Sequence, residues 1–120
     1  MILHLVLYRP RPGLGADAAD GFLASLRATR DAVPEIRAFW VGRRLTDGPA
    51  YKMTGFPDYP FVAVVAFDDR EGLVRYLQHP LHATLGHHFN STAESALIYD
   101  FEVADAAGNL GGMIGAAESA

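Results

Sequence analysis

The hydrophobic positions of this chain switch between near-continuous runs and a helical spacing, and the switches mark its elements. Residues 2–8, "ILHLVLY", are apolar almost throughout and are stopped by "RPRPG". Such a run reads as a strand buried on both faces. His4, Val6 and Tyr8 share one of those faces, and Leu3, Leu5 and Leu7 the other. From Ala16 to Val33 the spacing is helical: Phe22, Leu26, Thr29 and Val33 form one stripe, with Leu23 beside it. Asp17 is the expected N-cap, and Pro34 stands just past the end. "IRAFWV", Ile36 to Val41, predicts a second strand. A connector rich in glycine and proline follows, "GRRLTDGPAYKMTGFPDYP", too broken for regular structure and too long for a tight hairpin. "FVAVVAF", Phe61 to Phe67, predicts a third strand. A second helix begins at "DDREG", capped by Asp68 or Asp69, with Leu73, Val74 and Leu77 facing inward. It ends at Gln78 or His79, because a residue before proline is pushed out of the α region. Pro80 then opens a short further helix to about Phe89, and "LIYDFEV", Leu97 to Val103, predicts the last strand.

The resulting order, β-α-β-β-α-β, predicts an α+β, ferredoxin-like two-layer sandwich over residues 1–104. Residues 105–120, rich in glycine and alanine, read as a flexible tail. Helices on one side leave the other face of the sheet bare, and the strands have little polar to put there. The first strand is expected to offer His4, Val6 and Tyr8 to that face; the third has no polar residue on either. An apolar face must be covered, and a second copy in a twofold homodimer, sheet against sheet, covers it most simply.

Composition narrows the function. The chain has 120 residues, half of them hydrophobic, enough for one domain with a real core. It has no cysteine, which removes disulfides, thiolate nucleophiles and cysteine-bound zinc. Ten basic against 14 acidic side chains leave a net charge of −4 and no basic patch for nucleic acid. No run is long enough for a membrane helix, and the N-terminus lacks the basic start and cleavage site of a signal peptide, so a cytoplasmic protein is expected. The "NST" at Asn90 then carries no glycan.

Candidate chemistry is concentrated in "YLQHPLHATLGHHF", which holds four of the five histidines. On one continuous helix Tyr76 and His82 would point about 240° apart. The break at Pro80 is what allows them to converge. A neutral His82 suits proton abstraction near neutral pH, and a protonated Tyr76 suits donation to a developing oxyanion. The ordinary alternative is that Tyr76 packs the helix end and His82 caps a carbonyl. His79, just before the proline, is expected to make a contact that fixes the break. His87 and His88 extend the cluster, but no carboxylate or cysteine stands at a fixed offset, so no metal is expected. Arg43 and Arg44 could meet an anionic group or only solvent, and Asp100 could orient a histidine or face solvent. Tyr51 could belong to a lid. "GNLGGMIG" lacks the preceding strand and the lysine of a phosphate loop.

The strand "HLVLY", the helix end "YLQHPLHATL" and the final strand "ALIYDFEV" resemble the stress-responsive A/B barrel domain, within the dimeric α/β-barrel superfamily, over about residues 1–104. One branch of that family is similar to plant polyketide (olivetolic acid) cyclases. The resemblance implies paired sheets in a homodimer and a cleft in each protomer for a small aromatic or polyketide-like carbonyl compound. It also implies a Tyr/His pair that drives an aldol cyclisation with neither metal nor organic cofactor. Tyr76, His82 and His4 match the residues of that branch. Its third-strand histidine is replaced here by Phe61, or at most by nearby Tyr59. The candidates for ligand contact are His4, Val6 and Tyr8 of the first strand, Trp40 and Phe61 of the next two, and His79 and Phe89 around the broken helix. A binding or stress-response dimer without chemistry is the competing reading, and a superfamily monooxygenase a third.

Overall fold

The computed structural model describes residues 1–48, 55–104 and 111–116. Among the described residues up to 104, seven elements follow one another: β1 (Ile2–Pro10), α1 (Ala16–Ala32), β2 (Ala38–Arg43), β3 (Phe61–Phe67), α2 (Arg70–Gln78), α3 (Pro80–Thr92) and β4 (Ala93–Glu102). The strands form one antiparallel sheet in the order β2-β3-β1-β4, with the helices on one side. This is the ferredoxin-like arrangement that the order of apolar runs predicts.

The local causes are specific. Asp69 caps α2 by accepting the Gly72 N–H at 2.8 Å. His79 ends α2 in extended conformation and caps α3, its Nδ1 accepting the Leu81 N–H at 3.0 Å. One residue therefore stops one helix and starts the next. Helix α1 begins differently from the expectation. Gly15, not Asp17, is its N-cap and has no side chain to accept a first-turn N–H, while Asp17 lies in the first turn, where its charge suits the helix dipole. Strand β2 starts two residues later than the apolar run, because Ile36 is still in a turn, its N–H bonded to Val33 O. Helix α3 runs on to Thr92 and passes straight into β4, which therefore starts at Ala93 rather than Leu97.

The packed core is Ile2, Val33, Val65, Phe67, Leu73 and Tyr76. Of the three α2 residues expected inside, Leu73 is buried, whereas Val74 and Leu77 are exposed. Tyr76 takes their place, because its ring reaches Phe67 at 5.2 Å between centroids.

The expected use of the sheet faces is reversed. Tyr76 of α2 packs on His4, and Phe22 of α1 and Phe89 of α3 pack on Tyr8. His4, Val6 and Tyr8 therefore face the helices. The bare face carries Leu3, Leu5 and Leu7 with Trp40, Val64, Tyr99 and Phe101, the cross-strand register placing them together. Alternation fixes which residues share a face. Which face receives helices is set by tertiary packing, here the aromatic contacts of Tyr76, Phe22 and Phe89. Residues 111–116 of the expected flexible tail are helical; 105–110 and 117–120 lie outside the described residues.

Candidate active site

Three cross-strand rows on the helix side of the sheet make a floor. The first is Phe39–Val65–His4–Asp100, the second Val41–Ala63–Val6–Ile98, the third Arg43–Phe61–Tyr8–Ala96. At the first row α2 closes on the sheet. Beyond it the layers part, and a cavity of about 700 Å³ opens between the floor and helices α1 and α3. Its lining is mostly apolar, with Phe22, Leu26, Leu85 and Phe89 as the roof.

Polar chemistry gathers at the closed end. Tyr76, the last inward residue of α2, lies between two imidazoles: the His82 ring at 4.8 Å and the His4 ring at 5.7 Å, both edge-on. The break at His79 brings His82 there, by turning α3 relative to α2. His4 is held from behind, with Nδ1 2.6 Å from Asp100 Oδ1. A carboxylate accepting from Nδ1–H leaves Nε2 with a free lone pair. The Tyr76 side chain is 2% exposed, yet its hydroxyl makes no hydrogen bond among the described residues and is not sealed from solvent. Tyr76 lines the cavity.

Electrostatics suit each group to a role. Burial pushes the Tyr76 phenol up to about 12, so it keeps its proton at any ordinary pH. Burial also lowers His82 below the usual histidine value. The neighbouring His4 lowers it further, against a smaller opposing effect of the Leu77 backbone. His82 is thus neutral, with a lone pair to offer, at neutral pH. At the opposite end Tyr8 is occupied: its hydroxyl donates to Thr92 Oγ1 at 2.8 Å.

The structure brings together most residues singled out by the sequence. His4, Val6, Tyr8, Phe61, Tyr76, His82 and Phe89 all line the cavity. Two candidate ligand contacts do not. Trp40 opposes Val64 in the sheet and so points to the bare face, 56% exposed. His79 is spent on the helix break. His87 and His88 lie outside the cavity, and no group of three metal-binding side chains converges among the described residues. Tyr51 lies outside the described residues. The sequence left Asp100 open, and the β1–β4 register decides it by setting Asp100 opposite His4. Leu85, Val41 and Ile98 were missed, because an apolar residue at a cavity wall has the same pattern as one in a core.

Fold and site together define a two-layer ferredoxin-like protein with a histidine- and tyrosine-bearing cavity between its layers. The chain belongs to the stress responsive A/B barrel domain family, whose model matches residues 2–103. It is similar to an uncharacterized protein of Streptomyces coelicolor, 31% identical over 84 residues, which are 68% of this chain and 79% of that one. Its fold is similar to that of the hydroxynitrile lyase of Passiflora edulis, with a TM-score of 0.73 at 16% identity over 87% of this chain and 94% of the lyase. It is also similar to a dimeric ferredoxin-like protein of unknown function from Thermobifida fusca, with a TM-score of 0.66 at 20% identity over 85% and 90% of the two chains.

Proposed function

We propose that this chain is an acid–base catalyst of the lyase or cyclase type, acting on a small apolar carbonyl compound with side chains alone. The observation that carries the proposal is the convergence of Tyr76, His82 and an Asp100-held His4 at the closed end of one apolar cavity. In the proposed reaction the substrate carbonyl oxygen accepts a hydrogen bond from the Tyr76 phenol. His82 takes a proton from the adjacent carbon, and the electron pair of that C–H bond moves onto the oxygen as an enolate. The enolate carbon then attacks a second carbonyl of the same chain, and His82 returns the proton to the new alkoxide. An aldol cyclisation of a polyketide-like chain fits this sequence, as the resemblance to plant cyclases suggests. That a protein of similar fold is a hydroxynitrile lyase supports the lyase class. His4 is a second candidate for the base, favoured by the Asp100 contact, which fixes its tautomer in the manner of a catalytic dyad.

The proposal includes a cytoplasmic homodimer. The bare apolar face and the dimeric neighbour support the pairing. No described helix is long and apolar enough to cross a membrane. The test is NMR in D2O with a panel of 1,3-diketones and linear triketones, reading exchange at the carbon between carbonyls and the appearance of ring products. The protein should accelerate both, His82→Ala and Tyr76→Phe should not, and His4→Asn should show whether His4 shares the base role. A protein that matches buffer across the panel, or a His82→Ala variant that turns over normally, refutes the reading.

A further inference from the structure

We propose that the cavity takes its ligand in one orientation, as an apolar chain with an anionic head, and that Arg43 holds the head. The position of the carbonyl at Tyr76 rests on the function proposed above; the position of the head does not.

Arg43 lines the cavity from the third row of the floor, at the end opposite His4 and Tyr76. Its neighbour Arg44 reaches Asp58 at 3.0 Å. Arg9 pairs with Glu94, Arg37 with Asp68, Arg70 with Glu102 and Arg75 with Glu35, none of them at the cavity. Arg43 makes no ion pair or side-chain hydrogen bond among the described residues. No Asp or Glu is among the cavity's described lining residues, so an anionic head entering there meets a cation and no like charge. Arginine presents a planar fork that matches a carboxylate in two hydrogen bonds. Asn90, at the same end on α3, adds an uncharged donor.

Two structural rulers give the length of chain. Along β1 the rows of His4 and Tyr8 are four residues apart, about 13 Å. Along α3, His82 and Phe89 are seven residues apart, about 10 Å. The row between, Val41–Ala63–Val6–Ile98, is wholly apolar. The pattern is cation, apolar span, then phenol with imidazoles. The matching ligand is a medium-length keto acid, its carboxylate at Arg43 and its reacting carbonyl at Tyr76.

The experiment compares decanoate with decanol at pH 8 by calorimetry, with the Tyr76 ring resonances reporting entry into the cavity. The variants are Arg43→Gln and, as a control whose side chain pairs elsewhere, Arg44→Gln. Arg43 is on an exposed edge strand, and an unchanged melting temperature shows that its replacement leaves the fold alone. The wild type should bind decanoate about tenfold more tightly than decanol, a margin set by a charge-assisted contact at an open mouth. Arg43→Gln should erase that preference while leaving decanol affinity in place, and Arg44→Gln should retain it. Equal decanoate affinity in the wild type and Arg43→Gln overturns the assignment of Arg43, while decanol binding in the cavity would leave the apolar site intact. If neither compound moves the Tyr76 resonances, the chain-and-head proposal falls, while the proposed function stands or falls by its own turnover test.

Discussion

Replacing Tyr76 by phenylalanine separates the phenol's charge behaviour from its packing. The ring stays against Phe67 and His82, and the hydroxyl that is lost has no hydrogen bond among the described residues to leave behind. At pH 8 the variant should therefore unfold at nearly the wild-type urea concentration. At high pH the two should part. The folded phenol titrates at about 12 and the unfolded one at about 10, so the unfolded chain loses its proton first. Its contribution is complete below pH 10 and is lost as pH rises toward 12. Two pH units at 1.36 kcal/mol each bound the loss at about 2.7 kcal/mol, with about 1.4 kcal/mol gone at pH 11. The assay is urea denaturation followed by circular dichroism at pH 8, 9, 10 and 11 for both proteins. The other tyrosines are common to both and cancel in the difference. Wild type should become less stable relative to Tyr76→Phe by that margin at pH 11. Parallel curves from pH 8 to 11 would show that the phenol is not held in a desolvated site.

Four further outcomes follow from the same geometry. The His82 ring protons should titrate below 6.5 in NMR, and His4→Asn should move the midpoint upward by removing the electrostatic effect of the neighbouring imidazole. Because the folded value is lowered, the His82 contribution to stability is present above pH 6.5 and lost as pH falls through the folded value; the same titration should set the acid limb of any activity. Asp100→Asn should cost about 1 kcal/mol in urea titration, the exposure of the carboxylate discounting a charged hydrogen bond, and should widen the His4 ring signals as its orientation loosens. Gly21→Ala should stabilise α1 by about 0.5–1 kcal/mol, since the added methyl meets only His88 Cε1 and Nδ1 at 3.6 and 3.7 Å. Sedimentation of the wild type should give a dimer and Trp40→Glu a monomer, the charge falling on the bare sheet face; a monomeric wild type would refute the pairing.

Much of this was legible in the sequence, and for traceable reasons. Phe61–Phe67 is a strand at the residues its apolar run predicts, because nothing polar interrupts it and Asp68 and Asp69 end it. The break at Pro80 was legible because proline acts on its own neighbours, whatever the tertiary context. The faces of β1 were not. His4 is a polar residue in an apolar strand, and period-two alternation is symmetric between outside and inside until a packing partner such as Tyr76 is known. Trp40 was misplaced for the same reason: an aromatic on an edge strand fits a pocket or an interface equally well. Val74 was placed inside by helical spacing, but the helix turned on the larger ring of Tyr76, and Leu77 reaches the cavity rather than the core. Asp100 needed the register, a long-range quantity that one strand's sequence does not hold.

The hinge between α2 and α3 has a consequence for how this site tolerates change in length. Were Tyr76 and His82 on one helix, their relative angle would follow from helical phase. Instead it is set by the backbone of a single residue, His79, at φ −70° and ψ 139°. Chain added before Tyr76 or after His82 shifts where the helices end and leaves the pair in its mutual orientation. One residue inserted between His79 and His82 would swing the imidazole by about 100° around α3 and out of the cavity. The seven residues Tyr76–His82 thus behave as a cassette, movable as a unit and intolerant of splicing within.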